Sequence, residues 1–154
     1  MKKIIYTILF FIVGFIIAFF TDSFFTEWIR DLFQWSTDNL IQYRGKSIYF
    51  FTPIFLVSLG VVFSLFYLAN CTKNRTKIII NVIICISIFL FSIAFVSSIS
   101  AILKITTCTN CQEGILYINY YGINYSFILT LSSVLAISPS LIQLVFNKKN
   151  EHKT

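Results

Sequence analysis

Cys108 and Cys111 are separated by two residues in KITTCTNCQEGILYINYYGIN, residues 104–124. A CxxC spacing lets two thiols close a small disulfide, and it can also lower a thiol pKa enough for exchange chemistry. The two outcomes are weighed by what surrounds the pair. A membrane thiol–disulfide oxidoreductase passes electrons between two cysteine pairs, and no second pair accompanies this one. The other cysteines, Cys71 and Cys85, fall near the opposite end of the apolar runs. A metal site needs two more ligands beside two thiolates, and the sole histidine, His152, lies in the C-terminal tail. A structural Cys108–Cys111 disulfide in an oxidising compartment is therefore expected, with thiol exchange as an alternative. No metal or cofactor is expected.

The elements that carry this pair are apolar. The chain has 154 residues, 57% hydrophobic and 12% charged. Soluble domains carry about 25% charged residues, so most of this surface must meet lipid or other apolar protein. Four runs, residues 4–20, 48–69, 78–103 and 125–146, contain no Asp, Glu, Lys, Arg or His. Each is close to the roughly 20 residues that cross a bilayer. Backbone groups in hydrocarbon must pair within their own segment, which predicts four helices. The expected fold is an all-α, single-domain, integral membrane four-helix bundle. With no ionisable group inside a run, hydrolysis, phosphoryl transfer and proton-coupled transport all lack their reacting groups.

Positive charge orients the bundle. Lys2, Lys3, Lys73, Arg75, Lys77, Lys148, Lys149 and Lys153 fall at one end, and Arg30, Arg44, Lys46 and Lys104 at the other. Eight against four places both termini in the cytoplasm. The first run lacks a small-x-small cleavage pattern, so an uncleaved first helix is expected. The richness in Ile, Phe, Asn, Lys and Tyr suggests AT-rich coding DNA, hence a bacterial inner membrane.

Both tryptophans lie in DSFFTEWIRDLFQWSTDNLIQY, residues 22–43. On a helical wheel Phe25, Trp28, Leu32 and Trp35 share an apolar side. Glu27, Arg30, Asp31, Gln34 and Asp38 share the other. This predicts an additional amphipathic helix between the first and second spans, lying flat at the extracytoplasmic interface and capped by Thr21, Asp22 or Ser23. Its apolar face is the expected interfacial or partner-binding surface. Tyr117, Tyr120, Tyr121 and Tyr125 would complete an aromatic belt at the same level.

Small and polar residues set the expected packing. Gly14/Ala18, Gly60/Ser64 and Ser132/Ala136/Ser140 are small-xxx-small patterns that let helix backbones approach. Asn81 and Gln143 would hydrogen-bond across the bundle. Pro139 removes a backbone bond in the fourth span, and Ser138 and Ser140 can satisfy the freed carbonyls. Lys73, Arg75, Lys77, Lys148 and Lys149 form a basic cytoplasmic face suited to anionic lipid or an acidic partner.

These features imply a non-enzymatic inner-membrane subunit. Its expected partners are the lipid bilayer and either further copies of itself or a separately encoded cytoplasmic effector. Neither nucleic acid nor a small-molecule substrate is indicated. Sensing at the outer face within an antiviral defence system fits this outline. Immunity against a pore-forming bacteriocin is the alternative.

Overall fold

The first helix, α1, runs unbroken over Lys2–Trp35. Its length is about 51 Å at about 1.5 Å per residue, well beyond the roughly 30 Å of a hydrocarbon core. The structure, a computed structural model, describes residues 2–44, 52–71, 74–108, 111 and 115–151, with side chains described through residue 142. Three further helices follow: α2 over Pro53–Asn70, α3 over Arg75–Thr106 and α4 over Tyr125–Glu151. All four are long and apolar enough to cross a membrane, which fits a multi-pass membrane protein.

The separate helix expected over residues 22–43 takes a different form. Residues 22–35 continue α1, and Ile41–Arg44 form a strand, β1. Asp22 does not cap its own segment, because the chain is already helical there. The Thr21 hydroxyl donates back to the Ile17 carbonyl at 2.8 Å, and Thr26 to that of Asp22 at 2.6 Å, as mid-helix hydroxyls do. The helix ends where Asp38 (φ 49°) and Asn39 (φ 61°) enter the left-handed region. Short polar side chains tolerate that conformation better than most. The Asn39 N–H then closes on the Gln34 carbonyl at 2.9 Å.

β1 pairs in parallel with β2, Leu116–Asn119, in the register Ile41↔Leu116 to Arg44↔Asn119. A short 3-10 turn, Tyr120–Gly122, leads into α4. The Asn124 side-chain oxygen accepts the Phe127 N–H at 3.1 Å and caps that helix.

In the bundle, α1 packs against α2 and α3, and α4 packs against the same two helices. The α1–α2 contact is the closest. A β-carbon on Gly14 would lie 2.8 Å from the Leu59 carbonyl oxygen, and one on Gly60 would lie 2.9 Å from the Phe11 ring. One turn on, the Ser64 hydroxyl donates to the Thr7 carbonyl at 3.2 Å. Ala18 is fully buried on the same α1 stripe. On α4, Ser132, Ala136 and Ser140 are all buried, and the Ser140 hydroxyl lies 3.7 Å from the Cys85 sulfur on α3. Leu135 is the residue whose carbonyl Pro139 leaves without an N–H, and the Ser138 hydroxyl donates to it at 2.7 Å.

Asn81 donates to the Asn70 side-chain oxygen at 2.6 Å, tying the C-terminal end of α2 to the start of α3. Asn70 in turn donates to the Phe66 carbonyl at 2.8 Å. Gln143, the partner expected for Asn81, has a side chain outside the described residues, and so do Lys148 and Lys149. Lys73 is outside them altogether. Lys2, Lys3, Arg75 and Lys77 are exposed at the Asn70–Asn81 end of the bundle, the basal end.

Candidate site in a cleft at the head of the bundle

The opposite end of the bundle carries a head made from the last turns of α1, from β1 and β2, and from the Tyr120–Gly122 turn. Below the head, a buried carboxylate ties two of the bundle helices together. Asp22 is fully buried and accepts from the Thr52 backbone N–H at 3.0 Å and from the Thr52 hydroxyl. Thr52 precedes α2, and its carbonyl accepts the Phe55 N–H at 3.0 Å. A carboxylate there faces the positive end of the α2 dipole. Asp22 thus fastens the middle of α1 to the start of α2.

Next up the helix, Phe25 is wedged edge-on between Phe55, at 6.2 Å, and Phe89, at 5.2 Å. Phe25 and Trp28 pack on the core cluster, and Leu32 is buried in it. Trp35, in contrast, is 78% exposed. Of the four aromatic and aliphatic residues expected on one partner-binding face, three turn inward and one turns out. The wheel could not separate them, because a continuous helix buries the stripe Asp22, Thr26, Ile29 and Phe33 instead. That stripe includes the polar residues Asp22 and Thr26.

Arg30 organises the rest. Its Nε donates to the Tyr125 hydroxyl at 3.2 Å, and its guanidinium lies 5.1 Å from the centre of the Tyr120 ring. Tyr125 donates to the Tyr120 carbonyl at 3.1 Å, and Tyr43 donates to the Arg30 carbonyl at 3.2 Å. The Tyr43 and Tyr120 rings stack 5.2 Å apart, within 16° of parallel. Burial pushes the Tyr43 phenol well above its usual range, and neighbouring Tyr125 adds to the effect. Further along β1, Arg44 sits 3.7 Å over the Tyr117 ring, bracing the two strands. Arginine over an aromatic face contributes about 0.5–1 kcal/mol where exposed. Two of the aromatic residues expected to anchor at an interface, Tyr120 and Tyr125, are therefore gathered with Tyr43 around Arg30.

Beside this cluster opens a cleft of about 580 Å³, lined by Arg30, Asp31, Gln34, Asn39, Gln42, Tyr43 and Tyr120. Its size is ordinary for a small-ligand site, roughly 300–1,000 Å³. Its lining is mostly polar. Only Arg30, Asp31 and Gln34 were placed together by the sequence, on the polar side of the wheel. Asn39 and Gln42 join them because the left-handed pair Asp38–Asn39 turns the chain back over α1.

Cys108 and Cys111 are disulfide-bonded directly after α3, on the connection that leads into β2. Cys71 and Cys85 are not disulfide-bonded. Cys85 lies on α3 itself, 23 residues before Cys108, which is about 35 Å along a helix. Comparisons with protein-family models, curated proteins and solved structures return no match.

Proposed function

We propose that this chain is a non-enzymatic membrane subunit that recognises something at its head and acts through its basal face. The observation that carries the reading is the cleft. A wall of polar side chains is held on a projecting helix end, clear of an otherwise apolar bundle. The head–base charge asymmetry supports an orientation with the head extracytoplasmic and Arg75 and Lys77 in the cytosol. There the basal cations suit anionic lipid or an acidic partner. Thiol exchange is the weaker use of Cys108 and Cys111. The distance to Cys85 leaves no nearby thiol to accept electrons, so the disulfide serves to restrain the head.

Antiviral defence is the setting we propose for such a subunit, with bacteriocin immunity as the competing use of the same head. One challenge experiment separates them. The chain is expressed alone, and again with the neighbouring genes, in a sensitive bacterial host exposed to phage or to a pore-forming bacteriocin. Phage protection that needs a co-purifying soluble partner supports the subunit reading. Bacteriocin protection by the chain alone replaces it with immunity. Absence of protection in every arm overturns both.

A further inference from the structure

The chemistry of the cleft narrows what it can hold. Gln34, Asn39 and Gln42 each present a primary amide, with two donors and an acceptor. Asp31, Asn39 and Gln42 are exposed and Gln34 is half-buried, so these side chains are open to solvent and to a ligand. Their backbones, by contrast, are fixed. The Gln34 carbonyl accepts from the Thr37 and Asn39 N–H groups at 3.3 and 2.9 Å, and Gln42 is held in the strand register opposite Tyr117. A ligand therefore meets groups whose backbones are already placed and has only their side-chain rotamers to order.

Charge excludes the simplest ligands. Arg30 is committed to Tyr125 and to the Tyr120 ring, and Asp31 beside it offsets its charge. An anion would find one cation that is already occupied and one carboxylate that repels it. A cation would find a single carboxylate. An apolar ligand would strip water from the amides it covers and return no hydrogen bond. What remains is a neutral ligand that both donates and accepts at many positions and also has an apolar face. The stacked Tyr43–Tyr120 pair, which lines the cleft, would supply the apolar contact for that face.

We infer that the cleft binds a saccharide, with Gln34, Asn39 and Gln42 reading its hydroxyl groups. This rests on the head being the recognition end. The sugar can arrive free or as the headgroup of a glycolipid.

The test uses the full chain purified in an amine-oxide detergent, because a maltoside would itself compete. Saturation-transfer NMR is run with maltotriose and with the trimer of N-acetylglucosamine. Inorganic phosphate and trialanine serve as the non-sugar probes. A separate arm compares nanodiscs with and without a monoglucosyl diacylglycerol, which separates a glycolipid headgroup from a soluble sugar. Saturable binding of a soluble sugar or of the glycolipid is expected. Removing one neutral hydrogen bond weakens binding about three- to tenfold. Gln34→Ala with Gln42→Ala should therefore weaken it by about tenfold or more, with unchanged thermal unfolding. Asn39→Gly keeps the left-handed backbone and should weaken it by a smaller factor. Binding of phosphate or trialanine but no sugar overturns the assignment, as does sugar binding untouched by the paired substitution. Either of those results, with phage protection intact, would remove the sugar and leave the membrane subunit standing.

Discussion

Asp22 shows how a residue whose type suggests an N-cap can sit inside a helix and serve a distant part of the chain instead. Its type and its place before an aromatic run suggest an N-cap, but its carboxylate instead accepts from the N–H and hydroxyl of Thr52, thirty residues on and just before α2. Sequence periodicity carries no information about which distant N–H a carboxylate will meet. Asp22→Ala leaves the Thr52 N–H and hydroxyl without their acceptor in a buried place. A loss of roughly 1.5–3 kcal/mol is expected, the range for bonds to a charged group. Asp22→Asn keeps an acceptor and should cost less. Thermal unfolding in detergent checks the order of the two. Tyr43 gives a pH signature. In the unfolded chain its phenol ionises near pH 10, whereas burial in the head holds the proton to higher pH. Above about pH 10 the unfolded state has released a proton that the folded state keeps, so stability falls as pH rises. Tyr43→Phe should flatten that alkaline loss, at a cost of about 1 kcal/mol for the missing bond to the Arg30 carbonyl. Unfolding midpoints between pH 8 and pH 11, in the wild type and in the variant, decide it. A loss of equal steepness in both would assign the alkaline instability elsewhere.

The four apolar helices were legible because hydrocarbon forbids charge, and that rule needs no tertiary knowledge. The small-residue pairs were legible for a related reason, since Gly14 and Gly60 matter only where two backbones meet. The end of α1 was harder to see. A helical wheel keeps turning past Trp35 because apolar residues continue to Tyr43. The stop signal was chemical, in Asp38 and Asn39, whose side chains permit a positive φ. The parallel pairing of β1 with β2 joins strands more than seventy residues apart, which no local pattern encodes. The glycines give a graded test. Gly14→Ala drives its methyl into the Leu59 carbonyl oxygen at 2.8 Å and the Phe63 β-carbon at 2.9 Å, both tied to backbone. Gly60→Ala meets chiefly the Phe11 ring, which can rotate, although the Phe11 carbonyl oxygen stands at 3.1 Å. Gly122→Ala meets only ordinary contact at 3.5 Å. Overpacking of this kind costs typically about 1–3 kcal/mol. The expected loss of stability is therefore greatest for Gly14→Ala, smaller for Gly60→Ala and near zero for Gly122→Ala. Thermal melts of the three variants in one detergent would reveal any other order.

At the scale of the whole molecule, the continuity of α1 decides how far the head stands from lipid. Exposed apolar side chains line α1 from Ile4, at 66%, to Phe24, at 64%. Residues 4–24 cover about 31 Å of helix, close to one hydrocarbon thickness. Beyond them come Glu27, Arg30 and Asp31, and α1 holds no proline that would bend it. Trp35 therefore stands eleven residues past Phe24, about 16 Å higher. With residues 4–24 spanning the hydrocarbon, a tryptophan at that height would be clear of the interfacial belt, whereas a separate helix lying flat would keep it there. Single cysteines distinguish the two, with Cys71 and Cys85 replaced by serine and the Cys108–Cys111 disulfide kept. A maleimide that cannot cross the membrane should label Asp31→Cys and Trp35→Cys rapidly in intact cells. It should reach Phe20→Cys and Phe24→Cys slowly, and Arg75→Cys only after permeabilisation. Protection of Trp35→Cys as strong as that of Phe24→Cys would lay the segment back on the lipid. The cleft would then open against headgroups, where its polar lining would compete with the membrane surface for every ligand.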